Sequence, residues 1–251
     1  MSLLEVVQST RFSNSEVQVH RAAVETAACT MSANLGKRPI EVLSSSDLRI
    51  AFTQIDKTFL AGSVEELIKT SRDSINFRLS RRMTSSGGST TTRTLNRENS
   101  QMRYDIAIAG TLIHQTYASS KQATVCGVAC ETMLSALLRV MEHEMLHLIE
   151  MMLWNESSCA QARFKSMANR IFGHTTSSHR LLTAQQAAHE QHGLRVGDQV
   201  MFELVGIRYA GTINRIQRRA TVLVESDRGE PYSDGRRYAK YYVPLNLLRR
   251  A

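Results

Sequence analysis

Residues 131–153 read ETMLSALLRVMEHEMLHLIEMML, and this stretch decides what the rest of the chain is built around. It is rich in strong helix formers. Leu134, Leu137, Leu138, Met141, Met145, Leu148 and Met152 recur at spacings of three and four, the period of a buried helix face. Within it His143, Glu144, Met145, Leu146 and His147 spell HExxH, and His143, His147 and Glu150 share the opposite stripe. Two imidazoles four residues apart on a helix project from one face and can grip a single zinc ion. The intervening glutamate then lies beside the metal's open position, where it can take a proton from water. A lone buried histidine is ordinarily a hydrogen-bonded core residue. This pair, with a glutamate between them on such a helix, favours the metal.

Working outward, 251 residues suffice for one or two domains with a proper core. A hydrophobic content of 42% beside 22% charged residues belongs to a globular chain, and charges break the apolar runs short of a membrane span. No N-terminal stretch joins a basic start to an apolar core and a small-residue cleavage site. The expected location is therefore intracellular, cytoplasmic or associated with nucleoid or nucleus. There, Cys29, Cys126, Cys130 and Cys159 are expected as free thiols or metal ligands rather than disulfides. Cys126 and Cys130 do not have CxxC spacing, and the small residues between them read as close packing before the helix. A net charge of +8 and an isoelectric point near 9.6 favour an acidic partner, nucleic acid first.

Three segments follow from the patterning. Residues 1–45 are weakly patterned: 17–31 could form a helix, but polar residues flank it and GKRP at 36–39 interrupts. A loosely attached, partly disordered leader is expected. Residues 46–180 begin with Ser46 as the N-cap of a helix carrying Leu48, Ile50, Ala51, Ile55, Phe59 and Leu60. Residues 76–80 alternate as a strand does, and 83–94 carry Gly87-Gly88 in a Ser/Thr-rich run. This predicts a β-hairpin turning at the glycines, with a flexible loop as the alternative. Those glycines lack the lysine and the strand-to-helix setting of a phosphate loop. Residues 104–109 alternate again, so three short strands precede the motif helix, as in a small α+β core. Residues 159–172 are helical, with Phe164, Met167, Ala168, Ile171 and Phe172 on one side and Gly173 as C-cap. A polar connector with His174, His179, His189 and His192 leads to a third segment, 193–251. In it 196–202, 208–213, 220–225 and 240–245 read as strands of a small SH3-like or Tudor-like β-barrel.

The pieces between about 46 and 175 resemble, in their order, the SprT-like (Spartan-related) zinc metallopeptidase family. Arg81-Arg82-Met83-Thr84 through Gly87-Gly88 looks like the family's basic hairpin with its glycine, and 104–108 like the strand after it. HEMLH follows, then Phe164-Lys165 in the next helix. HExxH alone is shared by many unrelated zincins, so the order of the flanking pieces carries the resemblance. It implies a zincin-like α+β core with one zinc per chain, His143 and His147 as ligands and Glu144 as catalytic base. It also implies an intracellular protease acting on a protein substrate, often near DNA, with no membrane partner. The chain departs from the family at the third ligand. The family supplies a histidine in an HGxxF-like stretch, whereas Ala160-Gln161-Ala162-Arg163 precede Phe164 here. Cys159, one position further upstream, is the first candidate in its place, since a thiolate ligates zinc well; otherwise it is a buried free thiol. His174 is the second candidate, otherwise a helix-end or surface histidine. Glu150 is disfavoured because three ligands on one unbroken helix spread too far along its axis. No CxxC pair follows residue 159, so the family's C-terminal zinc ribbon is missing and the β-rich tail stands in its place.

That tail holds 11 Lys/Arg residues against 6 acidic ones, and five of the seven tyrosines: Tyr209, Tyr232, Tyr238, Tyr241 and Tyr242. Cations interleaved with aromatics can track a phosphate backbone while stacking on bases. Arg215, Arg218, Arg219, Arg236, Arg237 and Lys240 are the nucleic-acid-binding candidates, against a solvated basic face with packed tyrosines, or a peptide-binding barrel. The expected function is a zinc-dependent metalloendopeptidase of SprT-like type acting on DNA-associated proteins. The alternatives are a non-catalytic nucleic-acid or chromatin-binding protein with a structural zinc, closed by a fourth protein ligand, and a regulatory adaptor.

Overall fold

The computed structural model describes residues 1–37, 39–96, 101–119, 121–217 and 219–251. The chain is mixed α+β, with three small sheets among the described residues, and it divides into two units, Met1–Leu181 and Leu182–Ala251.

Helices α1 (Leu3–Ser9) and α2 (Asn14–Met31) open the first unit. Each starts with a reciprocal capping box, Ser2 with Glu5 and Ser13 with Glu16, which satisfies backbone N–H groups the helix cannot. The leader expected to be weakly ordered is instead packed: Leu3, Val6 and Val7 of α1, and Val17, Val24 and Ala28 of α2, are buried. The sequence masks this face because Arg21 sits in the middle of it. Its buried guanidinium donates to the Phe172 carbonyl at 2.6 Å and lies 3.8 Å from Glu142. α3 (Ser45–Leu60) starts two residues earlier than the Ser46 cap implies. Ser44 is the cap; its hydroxyl accepts from Asp47 N–H while the Asp47 carboxylate accepts from Ser44 N–H. α4 (Ser63–Thr70) follows a left-handed pair, Ala61 and Gly62.

The first sheet has the order β1 (Ser74–Leu79), β3 (Gln101–Ile108), β2 (Gly88–Asn96). β1 runs parallel to β3, and β2 antiparallel to it, from Gly88 opposite Ile108 to Asn96 opposite Gln101. The expected hairpin between residues 76–80 and 83–94 is therefore wrong: β3 lies between the two strands. Gly87 lies at a bend and Gly88 opens β2, but they do not join two paired strands; they bring the edge strand against side chains of the site below. α5 (Gly110–Ala118) leads to a small hairpin, β4 (Ala123–Val125) and β5 (Val128–Cys130). Cys126 and Gly127 form its two-residue turn, both with positive φ, +53° and +79°. A non-glycine residue held there costs about 1–3 kcal/mol, and Asn, Asp or Gly usually fills such a turn.

α6 (Met133–Trp154) carries the motif and runs through the middle of the unit, buried over 136–146 and 148–150. Thr132 and Ser135 cap its start, and left-handed Asn155 ends it. α7 (Ala162–Phe172) begins three residues later than expected, leaving Cys159 in the turn before it. Phe164, Met167, Ala168, Ile171 and Phe172 are buried, and Gly173 ends the helix at φ +62°. β6 (His179–Arg180) pairs with β4 and completes a sheet of order β5-β4-β6.

The second unit begins with α8 (Ala184–His192), capped by Thr183 and Gln186, so it starts ahead of residue 193. Five antiparallel strands follow: β7 (Gln199–Leu204), β8 (Ile207–Ile216), β9 (Ala220–Pro231), β10 (Arg237–Val243) and β11 (Arg249–Arg250). Their order is β10-β9-β8-β7-β11. Val200, Phe202, Ile213, Val222 and Val243 bury one face with Ala188 and Leu194. Among the described residues, no helix is long and apolar enough to cross a membrane.

Candidate metal centre

His143 and His147 lie one turn apart on α6, and their Nε2 atoms are 3.1 Å apart. Two imidazole nitrogens bound to one tetrahedral zinc, each about 2.0–2.1 Å from it, lie roughly 3.3 Å from each other. The rings already stand at that separation. The Cys159 sulfur joins them: one ligand atom from each of His143, His147 and Cys159 lies within 4.8 Å of the others. The first candidate for third ligand is thus brought to the motif by the turn between α6 and α7. Phe164 walls the group, its ring centroid 5.0 Å from that of His143 and 4.6 Å from that of His147.

His174, the second candidate, lies elsewhere. It is neither a ligand of this group nor a surface residue; it is buried, and its Nε2 is 2.9 Å from Glu142 Oε2. Arg139 and Arg21 reach the same carboxylate at 2.7 and 3.8 Å. Despite burial, those cations keep Glu142 ionised, its pKa below the usual range. Glu150 is not a ligand either. It accepts from Ser157 Oγ at 2.8 Å, from Ser158 N–H at 3.1 Å and from Arg163 Nε at 2.8 Å. Ser157 Oγ in turn lies 2.7 Å from His147 Nδ1. With Nδ1 protonated, His147 donates to Ser157 and Ser157 to Glu150. That chain orients the ring and leaves the Nε2 lone pair facing His143.

Glu144 is buried between α6 and β2. Thr90 Oγ1 lies 2.8 Å from its Oε2 and 3.0 Å from its backbone carbonyl. A Cβ placed on Gly88 would fall 2.5 Å from Glu144 Oε1, so only glycine admits the carboxylate there. Burial raises its pKa from 4.5 to about 7, with the Thr90 hydroxyl opposing the shift. Glu142 and Glu150 on the same helix each meet an arginine, whereas Glu144 meets only that hydroxyl among the described residues. Burial, followed by the nearby His179 and His147, pushes His143 down to about 2, and burial lowers His147 as well. Both rings are neutral at neutral pH, as ligation requires.

Two residues that sequence reasoning set aside also reach the motif. Cys126 Sγ lies 3.4 Å from His143 Nδ1 and 3.8 Å from His179 Nδ1. In the sequence Cys126 reads as close packing and His179 as part of a polar connector. The one local signal was a cysteine preceding a glycine, where Asn-Gly would mark the turn.

In the second unit, Arg215, Arg219 and Lys240 line one concavity of about 570 Å³ with Asn214, Thr221 and the exposed Tyr242. Lys240 is paired with Glu230 at 2.5 Å. Arg236 lies 3.4 Å from Glu225, and neither it nor Arg237 lines this concavity. Arg218 lies outside the described residues. Comparison of the chain with known protein families, with curated proteins and with solved structures finds no match.

Proposed function

We propose that this protein is a zinc-dependent metalloendopeptidase of SprT-like type, acting on DNA-associated proteins. One observation carries the reading: Glu144, a buried carboxylate that meets no cation among the described residues, stands on the helix whose two neutral imidazoles lie beside the Cys159 thiol. Leaving a buried carboxylate without a cation is costly, and such groups concentrate at functional sites. His143, His147 and Cys159 would hold the zinc. Bound there, zinc would supply Lewis acidity toward a scissile carbonyl. Glu144 takes the proton of the attacking water and returns it to the leaving amine. Thr90 and Gly88 hold that carboxylate in place, while Ser157 and Glu150 fix the ring of His147. The accompanying fold reading is a small zincin-like core with an SH3-like or Tudor-like barrel. An edge strand beside the motif helix and a five-stranded antiparallel sheet in the tail support it. The basic concavity of the tail is the proposed nucleic-acid contact.

The deciding experiment is Glu144→Gln, which keeps shape and removes basicity. The variant should fold and retain zinc while losing cleavage of itself or of a DNA-bound protein by about 10²–10⁴-fold. An active wild type with an equally active variant would remove the hydrolytic reading. A zinc-loaded wild type inactive with and without DNA would favour the alternative, a nucleic-acid-binding protein whose zinc is structural.

A further inference from the structure

The proposed zinc site uses one nitrogen of His143; the fold equips the other. His143 Nδ1 faces the Cys126 sulfur at 3.4 Å, and that sulfur faces His179 Nδ1 at 3.8 Å. One ligand atom from each of the three residues lies within 4.8 Å of the others. A thiolate sulfur and an imidazole nitrogen on one tetrahedral zinc, at about 2.3 and 2.0 Å, lie roughly 3.5 Å apart. Both sulfur-to-nitrogen separations are close to that value.

The donors are also built in, not merely near. Cys126 is fully buried on left-handed backbone, in a turn position where asparagine or glycine is ordinary. Its N–H donates to the Ser178 carbonyl, and its own carbonyl accepts from the N–H groups of Thr175 and Thr176. A Cβ on Gly127 would meet Thr175 Oγ1, so the turn fits that segment closely. Val125 pairs with His179, so one strand pairing delivers thiol and imidazole together to the ring on α6. Gly87 lets β2 pass His179, whose Cδ2 would lie 3.0 Å from an added Cβ.

We propose that Cys126, His143 Nδ1 and His179 form a second transition-metal site, and that the imidazole of His143 bridges two cations. A thiolate with two imidazoles selects a soft or borderline ion, zinc or monovalent copper, over magnesium or calcium. Binding releases the Cys126 thiol proton and the remaining ring proton of His143; nothing is oxidised or reduced. The second cation ties the β4–β5 turn and β6 to the motif helix. This extends the expectation of one zinc per chain and does not depend on proteolysis.

The test uses the full chain, stripped with a chelator and reloaded with cobalt(II) as probe. The readouts are cobalt per chain after removal of excess and the near-ultraviolet thiolate-to-cobalt absorption. Wild type should hold about two equivalents, and Cys126→Ser and His179→Gln about one each. The double variant His147→Ala/Cys159→Ser should keep about one equivalent, still thiolate-bound through Cys126. Wild type saturating at a single cobalt overturns the proposal, and no variant needs to fold for that result. Cys126→Ser and His179→Gln holding as much cobalt as wild type also overturn it. If wild type holds a single cobalt, its loss in His147→Ala/Cys159→Ser leaves the proposed hydrolytic site standing. Its survival there removes that site instead.

Discussion

At the scale of single residues, three carboxylates on α6 have three fates decided by their neighbours. Glu142 pairs with two buried guanidiniums, Glu150 braces His147 through Ser157, and Glu144 meets no cation among the described residues. The difference between Cys159 and His174 follows the same logic. Cys159 shares a ligand-sized space with His143 and His147, whereas His174 serves Glu142. Cys159→Ala should therefore lower zinc affinity far more than His174→Ala, measured by competition with a chromophoric chelator. His174→Ala should instead cost roughly 1–3 kcal/mol of stability, because a buried carboxylate oxygen loses its partner. The reverse order of zinc affinities would relocate the ligand.

At the scale of elements, the edge strand β2 and the helix α6 meet at a glycine. Gly88→Ala forces the Glu144 carboxylate aside, since the new methyl would overlap it. Metal content should stay at the wild-type value while turnover falls by about 10-fold or more, the scale of a misplaced catalytic group. A variant as active as wild type would show that Glu144 does not need its observed position. A second element-scale test concerns the α3–α4 junction. Asp56 is fully buried and accepts from the N–H groups of Val64 and Glu65, yet burial lifts its pKa from 3.8 to about 6. The folded state thus holds its proton more tightly than the unfolded chain. The contribution of this group to stability is full below about pH 4 and declines as pH rises through about 6, by at most about 3 kcal/mol. Melting temperatures of wild type and Asp56→Asn across that window should shift in the variant's favour as pH rises. A difference independent of pH would refute the assignment.

At the scale of the whole molecule, the positive charge is not spread evenly over the tail's candidate cations. Arg215 and Arg219 share a concavity with exposed Tyr242, while Arg236 is paired with an acid outside it. Arg215→Ala/Arg219→Ala should weaken binding of a single-stranded oligonucleotide. It should also flatten the plot of log affinity against log salt by about 1.4, at roughly 0.7 for each single-strand phosphate that an arginine no longer neutralises. An unchanged slope would exclude this face as the phosphate-binding surface.

The sequence by itself determined the helices that matter most. The leucine and methionine spacing of α6, the buried face of α7 with Gly173 at its end, and the HExxH placement are all properties of adjacent residues, set by a 3.6-residue period. It also brought Cys159 forward as a ligand candidate from its place just before Phe164. It did not disclose the order β1-β3-β2, the packed N-terminal helices or the approach of Cys126 and His179 to the motif. Strand partners are chosen by backbone hydrogen bonds that carry little side-chain signature. A parallel neighbour or a two-residue strand such as β6 leaves almost no local trace. Arg21 concealed the buried face of α2 because its compensating partners, Glu142 and the Phe172 carbonyl, lie more than a hundred residues away. Local periodicity wrote the helix that carries the site; long-range pairing alone decided which side chains surround it.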